Sequence, residues 1–234
     1  MLCALQLLTH NTPIQISAIA FDLDGTLIDT LPDLHEAGVR MLCELGRAPL
    51  DAAATRSFIG DGIDQLVKRL LTRSAGDPDK GLFQSARIQF RRHYAAVVSR
   101  DSRPYPGVIE GLRALRTLGV RLACVTNKAE AFTQPLLQDT GLLDYFDLTV
   151  SGDSLPRKKP DPLQLLHCAR VFNIPARELL MVGDSANDTA AARAAGAPVF
   201  CVPWGYCEEV RQLDCDAIVD SLSSILSLIS LSES

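Results

Sequence analysis

No C-x-x-C pair occurs in the 234 residues, and the seven cysteines (Cys3, Cys43, Cys124, Cys168, Cys201, Cys207, Cys215) show no ligand-like spacing to a histidine. Neither a zinc cluster nor a dithiol redox motif is therefore encoded. An odd number of scattered thiols also makes poor material for a disulfide framework, and reduced thiols in a cytoplasmic protein fit best. No stretch approaches the length needed to span a bilayer. The apolar start, residues 1–8, lacks a basic flank and is too short for a signal peptide, so residues 1–15 read as a poorly ordered extension. Internal repeats are missing as well. So is an excess of cations: the formal net charge is −5, which argues against a nucleic-acid-binding face. The expected partner is a small molecule, not nucleic acid or membrane, and the chain is expected to be a monomer or homodimer.

What is present is apolar and ordered. At 47% hydrophobic residues the chain can bury a substantial core, and its length suits one α/β domain with an insertion. Strand-length apolar runs at 16–21, 120–125, 147–150, 179–182 and 199–202 alternate with helical patterns at 108–118, 130–140, 162–172 and 187–195. That alternation predicts βαβ units and a parallel sheet. Pro135 sits inside the second helical pattern and is expected to bend or delay it. Residues 221–231 read as a short amphipathic helix packed on the core.

The alternation breaks between Pro32 and Pro104. Leu34, Ala37, Met41, Leu42 and Leu45 share one helical face, as do Ile63, Leu66, Val67, Leu70 and Leu71, and Phe83, Ala86, Phe90, Tyr94 and Val97. An all-helical insertion over residues 32–104 follows, set into an α/β core of residues 16–31 and 105–234; the resemblance described below makes these a cap and a Rossmann-like core. Pro32 and Arg103-Pro104-Tyr105-Pro106-Gly107 punctuate its ends as hinges. From Asp29 to Tyr105 there are 12 Lys+Arg against 10 Asp+Glu, so the cap is the less acidic part.

Four short segments carry the chemistry. Asp22-Leu23-Asp24-Gly25-Thr26 follows the first apolar run, at a strand end where open parallel sheets bind ligands. A carboxylate at Asp22 can attack phosphorus, and one at Asp24 can protonate the departing alkoxide. Two carboxylates beside a phosphate dianion repel by several kcal/mol at intermediate dielectric and call for a cation. Asp184, after the run 179–182, supplies a further hard oxygen ligand of the kind Mg²⁺ takes. Asp188, one helical turn on, either holds a metal-bound water, orients Lys159, or simply caps a helix. Thr126 and Asn127 end another strand and offer donors for phosphoryl oxygens, although a helix cap would look alike. Lys159, before Pro160, can bridge Asp22 and phosphate; its neighbours Arg157 and Lys158 read as solvated charges. In the cap, Gly60-Asp61-Gly62 precedes a helix and reads either as an anion nest for substrate specificity or as a turn. Lys68 and Arg69 are further cap cations of open role.

In this order the segments resemble the four motifs of the haloacid dehalogenase-like superfamily of aspartate-nucleophile phosphohydrolases, across residues 16–202. The resemblance implies a Rossmann-like sheet with a helical cap, and Mg²⁺ held by Asp22, the Asp24 backbone carbonyl and Asp184. Phe58-Ile59-Gly60-Asp61-Gly62, the run 151–162 and Gly205-Tyr206 look like the phosphoglycolate phosphatase branch. That branch implies hydrolysis of 2-phosphoglycolate to glycolate and phosphate through an aspartyl-phosphate. A phosphatase for a sugar phosphate, nucleotide or pyrophosphate has the same core motifs. A phosphoacceptor signalling module is disfavoured by the acid at Asp24 and by the large cap, because it should preserve its aspartyl-phosphate. A dehalogenase would not need Asp24, and a Schiff-base phosphonate hydrolase would need an activated cap lysine, which neither Lys68 nor Lys80 offers.

Overall fold

A strand that is apolar at every position needs cover on both faces, and the centre of this molecule is built from such strands. The computed structural model describes residues 14–73 and 76–231. In chain order the first elements are β1 (Ile14–Ile16), β2 (Ala18–Phe21), β3 (Ile28–Asp29), α1 (Leu31–Glu44), α2 (Ala52–Arg56), α3 (Ile63–Thr72) and α4 (Lys80–Ala95). There follow β4 (Arg103–Pro104), α5 (Val108–Thr117), β5 (Arg121–Val125), α6 (Glu130–Asp139), β6 (Leu148–Val150), α7 (Leu163–Val171), β7 (Leu179–Gly183), α8 (Ala186–Ala195), β8 (Val199–Cys201), β9 (Ala217–Ile218) and β10 (Ile229–Leu231).

Six strands form one parallel sheet in the order β6-β5-β2-β7-β8-β9. Alternate residues serve opposite faces. Ile19, Phe21, Leu122, Cys124, Leu180 and Val182 join one core cluster with α5 and α6, while Ala18, Ala20, Ala123, Val125, Leu179 and Met181 join the other with α7 and α8. From β2 the chain builds outward on one side through β5 and β6, then crosses to β7 on the other. The carboxyl end of β2 is thus a topological switch point, where α/β sheets hold ligands.

The helices α1 to α4 are a separate layer between β3 and β4, packed through Leu34, Met41, Leu42, Leu66, Leu70, Phe90 and Tyr94. Both linkers are tied together. β3 and β4 pair antiparallel, and the buried Asp33 carboxylate accepts from Asp101 N at 3.0 Å, Ser102 N at 2.8 Å and Ser102 Oγ at 2.6 Å.

Four expectations need correction. Residues 221–231 are not a helix: a 3₁₀ turn at Ser223–Ser227 leads into β10, which pairs in parallel with β1. Ile229 is buried while Ser230 and Leu231 are exposed, the burial of an edge strand and not of a helical stripe. The same pairing puts Ile14 and Gln15 in a strand instead of the expected extension, whose residues 1–13 lie outside the described residues. The run 16–21 is also split at Ser17, whose hydroxyl donates to Glu178 at 2.7 Å. Finally, α6 starts at Glu130 without delay and continues through Pro135, because Phe132, Leu136 and Leu137 anchor it to the sheet on both sides of the missing N–H.

Candidate active site

The geometry at the end of β2 is set by a tight turn in which Leu23 O accepts from Leu27 N and Ile28 N, both at 3.0 Å. Gly25 takes φ +86° there, and a Cβ on it would stand 2.6 Å from an Asp184 carboxylate oxygen. Only glycine lets the loop run this close to the neighbouring strand end. The turn leaves Asp22 buried at the strand end, with Asp24 hydrogen-bonded to Thr30 just before α1.

Lys159 organises the inner part of the site. Its ammonium donates to Val125 O at 2.7 Å, to Asp188 Oδ1 at 2.6 Å and to Asp22 Oδ1 at 2.9 Å, so all three N–H groups are used. Burial alone would lower this lysine, but Asp188 and Asp22 outweigh it and hold the ammonium above its ordinary range. Asp188 closes a capping box with Ser185, whose N and Oγ reach its Oδ2 at 3.0 and 2.6 Å. Both its oxygens are thereby committed, one to the helix and one to Lys159. Gln164 sets the lysine from behind: its Oε1 accepts from Lys159 N at 3.1 Å, and its amide donates to Thr126 O and Ser151 O.

Asp184 accepts from Thr26 Oγ1 at 2.8 Å and Tyr206 N at 2.6 Å. Tyr206 connects this carboxylate to the cap hinge. Its hydroxyl accepts from Thr30 N at 2.7 Å and Leu31 N at 2.9 Å and donates to Asp29 at 3.0 Å, satisfying N–H groups at the start of α1 that have no helical partner. From α2, the Arg56 guanidinium stacks 5.2 Å over the Tyr206 ring and bonds Gly205 O.

Burial pushes Asp22 up to about 8, with Lys159 opposing and Asp188 and Asp184 adding to the rise. Burial followed by Asp188 pushes Asp184 up to about 7. Burial is the main cause of both shifts, and the neighbouring carboxylates add to it. Among the described residues, four carboxylates gather here and two ammonium groups pair with them, Lys159 with Asp22 and Asp188 and Lys128 with Asp24, while Asp184 accepts from Thr26 and Tyr206 N. Asp22, Asp184 and Asp188 each offer an oxygen within 4.8 Å of the others, so a divalent cation fits the donor set and the charge deficit.

The outer part belongs to Asp24 and the cap. Asp24 Oδ1 accepts from Thr30 Oγ1 at 2.7 Å, and Lys128 Nζ lies 2.8 and 3.0 Å from its two oxygens. The 58–62 loop is docked on the core above. Asn127 Nδ2 donates to Gly60 O at 3.0 Å and to Lys159 O at 2.9 Å, Lys158 Nζ donates to Asp61 O at 2.7 Å, and Asn187 Nδ2 donates to Asp61 Oδ1 at 2.8 Å. Between them lies a small cavity, bounded at its core end by Asp22, Asp24, Thr126, Asn127 and Lys128 and at its cap end by Leu34, Ile59, Gly60, Gly62, Ile63 and Leu66.

A model of haloacid dehalogenase-like hydrolases matches residues 16–196. The chain belongs to this family. A protein of Nitrosospira multiformis named phosphoglycolate phosphatase is 57% identical over 220 residues, covering 93% of this chain and 97% of its own. One of the same name from Thiobacillus denitrificans is 52% identical over 214 residues, covering 90% and 94%. The crystal structure of a predicted phosphoglycolate phosphatase from Haemophilus somnus matches with a TM-score of 0.85 at 33% identity, over 91% of this chain and 97% of that one.

In this haloacid dehalogenase-like hydrolase, Asp22, Asp24, Thr126, Lys159, Asp184 and Asp188 converge on one end of the sheet. Two expected site residues are differently engaged. The Asn127 amide nitrogen serves the cap loop and Lys159 O instead of facing the cavity. Asp61 turns outward to Arg69, 2.5 Å away, and to Asn187, leaving Gly60 and Gly62 at the cavity wall. The 60–62 backbone offers carbonyls to core donors, so the loop is a docking contact as well as a wall. Lys158 is not merely solvated, since it holds Asp61 O. Lys128 and Gln164 were not singled out by sequence, and Tyr206 only as part of the Gly205-Tyr206 resemblance. Only the polar run Thr126-Asn127-Lys128 at a strand end hinted at the first.

Proposed function

We propose that this chain is a Mg²⁺-dependent phosphatase that hydrolyses 2-phosphoglycolate to glycolate and phosphate through an aspartyl-phosphate at Asp22. The observation that carries the reading is the buried Asp22, fixed at a strand end by Lys159, with Asp24 beside it facing a small cavity under the cap. The 57% and 52% relatives named phosphoglycolate phosphatase support the choice of substrate.

In the first half-reaction an Asp22 carboxylate oxygen forms a bond to phosphorus while the bond from phosphorus to the glycolate oxygen breaks. Asp24 gives that oxygen its proton. In the second half, Asp24 takes a proton from water as the water oxygen attacks phosphorus, which releases phosphate and restores Asp22. Lys159 and the Thr126 hydroxyl meet charge on the phosphoryl oxygens, and Asp188 acts through Lys159 by fixing its position. Asp22, the Asp24 carbonyl and Asp184 would hold Mg²⁺, which when bound neutralises charge on the phosphoryl group. The docked 58–62 loop keeps bulk water from the first step. The free thiols among the described residues, Cys43, Cys124, Cys168, Cys201, Cys207 and Cys215, suit a cytoplasmic enzyme.

The test is phosphate release across a panel of phosphorylated acids, sugars, nucleotides and pyrophosphate, with Mg²⁺ and with excess chelator. The highest kcat/KM is expected for 2-phosphoglycolate, with hexose phosphates lower by orders of magnitude. Preference for a sugar phosphate, nucleotide or pyrophosphate would leave the general phosphatase reading and remove the substrate. Full activity in chelator would remove the metal assignment.

A further inference from the structure

An anionic leaving group brought into this cavity needs a cation, and among the described residues no cap cation lines it. Arg69 is spent on Asp61 and Phe58 O, and Lys68 on Asp77. Arg56 is held by Gly205 O and the Tyr206 ring, and Lys158 by Asp61 O. None of the four lines the cavity. Lys159 has committed all three donors at the phosphate end. The side chains of Leu34, Ile59, Ile63 and Leu66 on the cap wall offer no polar group.

Lys128 is the exception. It follows Asn127 in the loop after β5, is 3% exposed, and lines the cavity. Its ammonium rests against both oxygens of Asp24 and 4.9 Å from the centre of the Tyr94 ring, which α4 brings down from the cap. Burial would lower this lysine, but Asp24 outweighs it and holds the charge in place. An ammonium bound to both oxygens of one carboxylate can give up one of them to a second carboxylate without leaving the first. Arranged in that way, Lys128 would join the leaving group to Asp24.

We infer that Lys128 is the specificity-determining residue for the leaving group: it binds the substrate carboxylate and so sets the ester oxygen beside Asp24. The inference rests on the phosphatase reading above and deepens it. The substrate class is small phosphoesters with an anionic group one or two carbons from the ester oxygen. Uncharged leaving groups of the same size lack the partner that replaces the water lost by Lys128 and by their own polar end.

Three substrates and two variants separate this role from mere support of Asp24. 2-Phosphoglycolate carries the carboxylate, 2-hydroxyethyl phosphate replaces it with an uncharged alcohol, and p-nitrophenyl phosphate needs little acid assistance. For Lys128→Met, KM for 2-phosphoglycolate should rise about 30-fold while KM for 2-hydroxyethyl phosphate changes less than about threefold, as expected for loss of one charge-assisted contact. The kcat for both alkyl esters should fall together as Asp24 loses its support. Lys128→Arg should recover much of the KM difference. Competitive inhibition by glycolate should weaken in Lys128→Met while inhibition by inorganic phosphate stays, a binding readout independent of turnover. Equal KM changes for both alkyl esters, or unchanged glycolate inhibition, would overturn the role of Lys128. If the wild-type enzyme prefers another small carboxylated phosphoester and Lys128→Met still acts selectively on its KM, the 2-phosphoglycolate reading fails and Lys128 stands. A wild-type enzyme indifferent to the carboxylate sinks both.

Discussion

The two ends of the cavity are held in different ways. At the phosphate end Asp22, Lys159, Asp184 and Asp188 come from the ends of β2 and β7, the start of α8 and the loop before α7, where Lys159 itself is buried. Lys159, Asp184 and Asp188 each make at least two short polar contacts, and Asp22 is held by Lys159, all within the core. At the leaving-group end, Asp24 and Lys128 meet a cap loop attached through Asn127, Lys158 and Asn187, three side chains reaching across to main-chain carbonyls or one carboxylate. The phosphate end is therefore preorganised by the fold itself. The leaving-group end is assembled only when the cap is seated, so chemistry and selectivity should respond to different substitutions.

The largest contrast should come from Asp22→Asn. An amide cannot serve as the nucleophile, so turnover on every phosphoester should fall roughly 10⁴-fold or more. Asp24→Asn should cost alkyl esters about 10²- to 10⁴-fold while phosphate binding stays measurable. Steady-state rates with a calorimetric phosphate titration check both. Retention of a few per cent of wild-type turnover by Asp22→Asn would rule out the covalent route.

Lys159→Met should next separate the ends by stability. It strips two buried carboxylates of their cation and should destabilise the fold by about 3 kcal/mol in urea melts besides removing activity. Lys128→Met should cost clearly less, because Asp24 keeps Thr30 and is partly solvated. Similar losses from both would erase the distinction.

Gly62→Val addresses the seating of the cap. Gly62 takes φ +82°, and a Cβ there would lie 2.9 Å from Asn127 O and 2.7 Å from Lys158 Nζ. The lysine can move aside but the backbone oxygen cannot. KM for 2-phosphoglycolate should rise about tenfold or more, and an aryl phosphate should suffer much less because it needs neither a tight cap nor strong acid assistance. Equal damage to both substrates would mean that the loop supports the core site itself.

The smallest effect concerns pH. In the metal-free protein Asp22 and Asp184 are raised to about 8 and about 7, from an ordinary 3.8. A raised carboxyl favours folding below its unfolded pKa, and that benefit is lost as pH rises through the folded values. The metal-free protein should therefore lose stability between about pH 4 and 8, where Mg²⁺ binds the carboxylate forms. The gain in Tm on adding Mg²⁺ should grow by a few degrees across that window and level off above it. A gain independent of pH would mean that the two carboxyls do not set the metal affinity.

How much of this was legible in sequence depended on how local the cause was. Apolar runs ending in Asp22, Thr126 and Asp184 announced buried strands and their functional ends, because periodicity and strand termination are written within a few residues. β1 and β10 were missed because three-residue strands exist only through a partner more than two hundred residues away. Lys128 and Gln164 were missed for a related reason. A lysine after Asn127 and a glutamine on α7 are ordinary residues until the fold turns them inward. At Gly60-Asp61-Gly62 the sequence left an anion nest and a simple turn both open, because it does not show that the core presents donors to the loop's carbonyls and to the Asp61 carboxylate.

Tyr206 gives one feature of this architecture a mechanical meaning. Its backbone N–H grips Asp184, and its hydroxyl grips the first amides of α1, so one rigid ring spans from the proposed metal ligand to the root of the cap. The ring works as a strut of fixed length. Cap movement that keeps these bonds must swing about that root and not slide along the sheet, which varies the depth of the cavity and spares the spacing of its phosphate end.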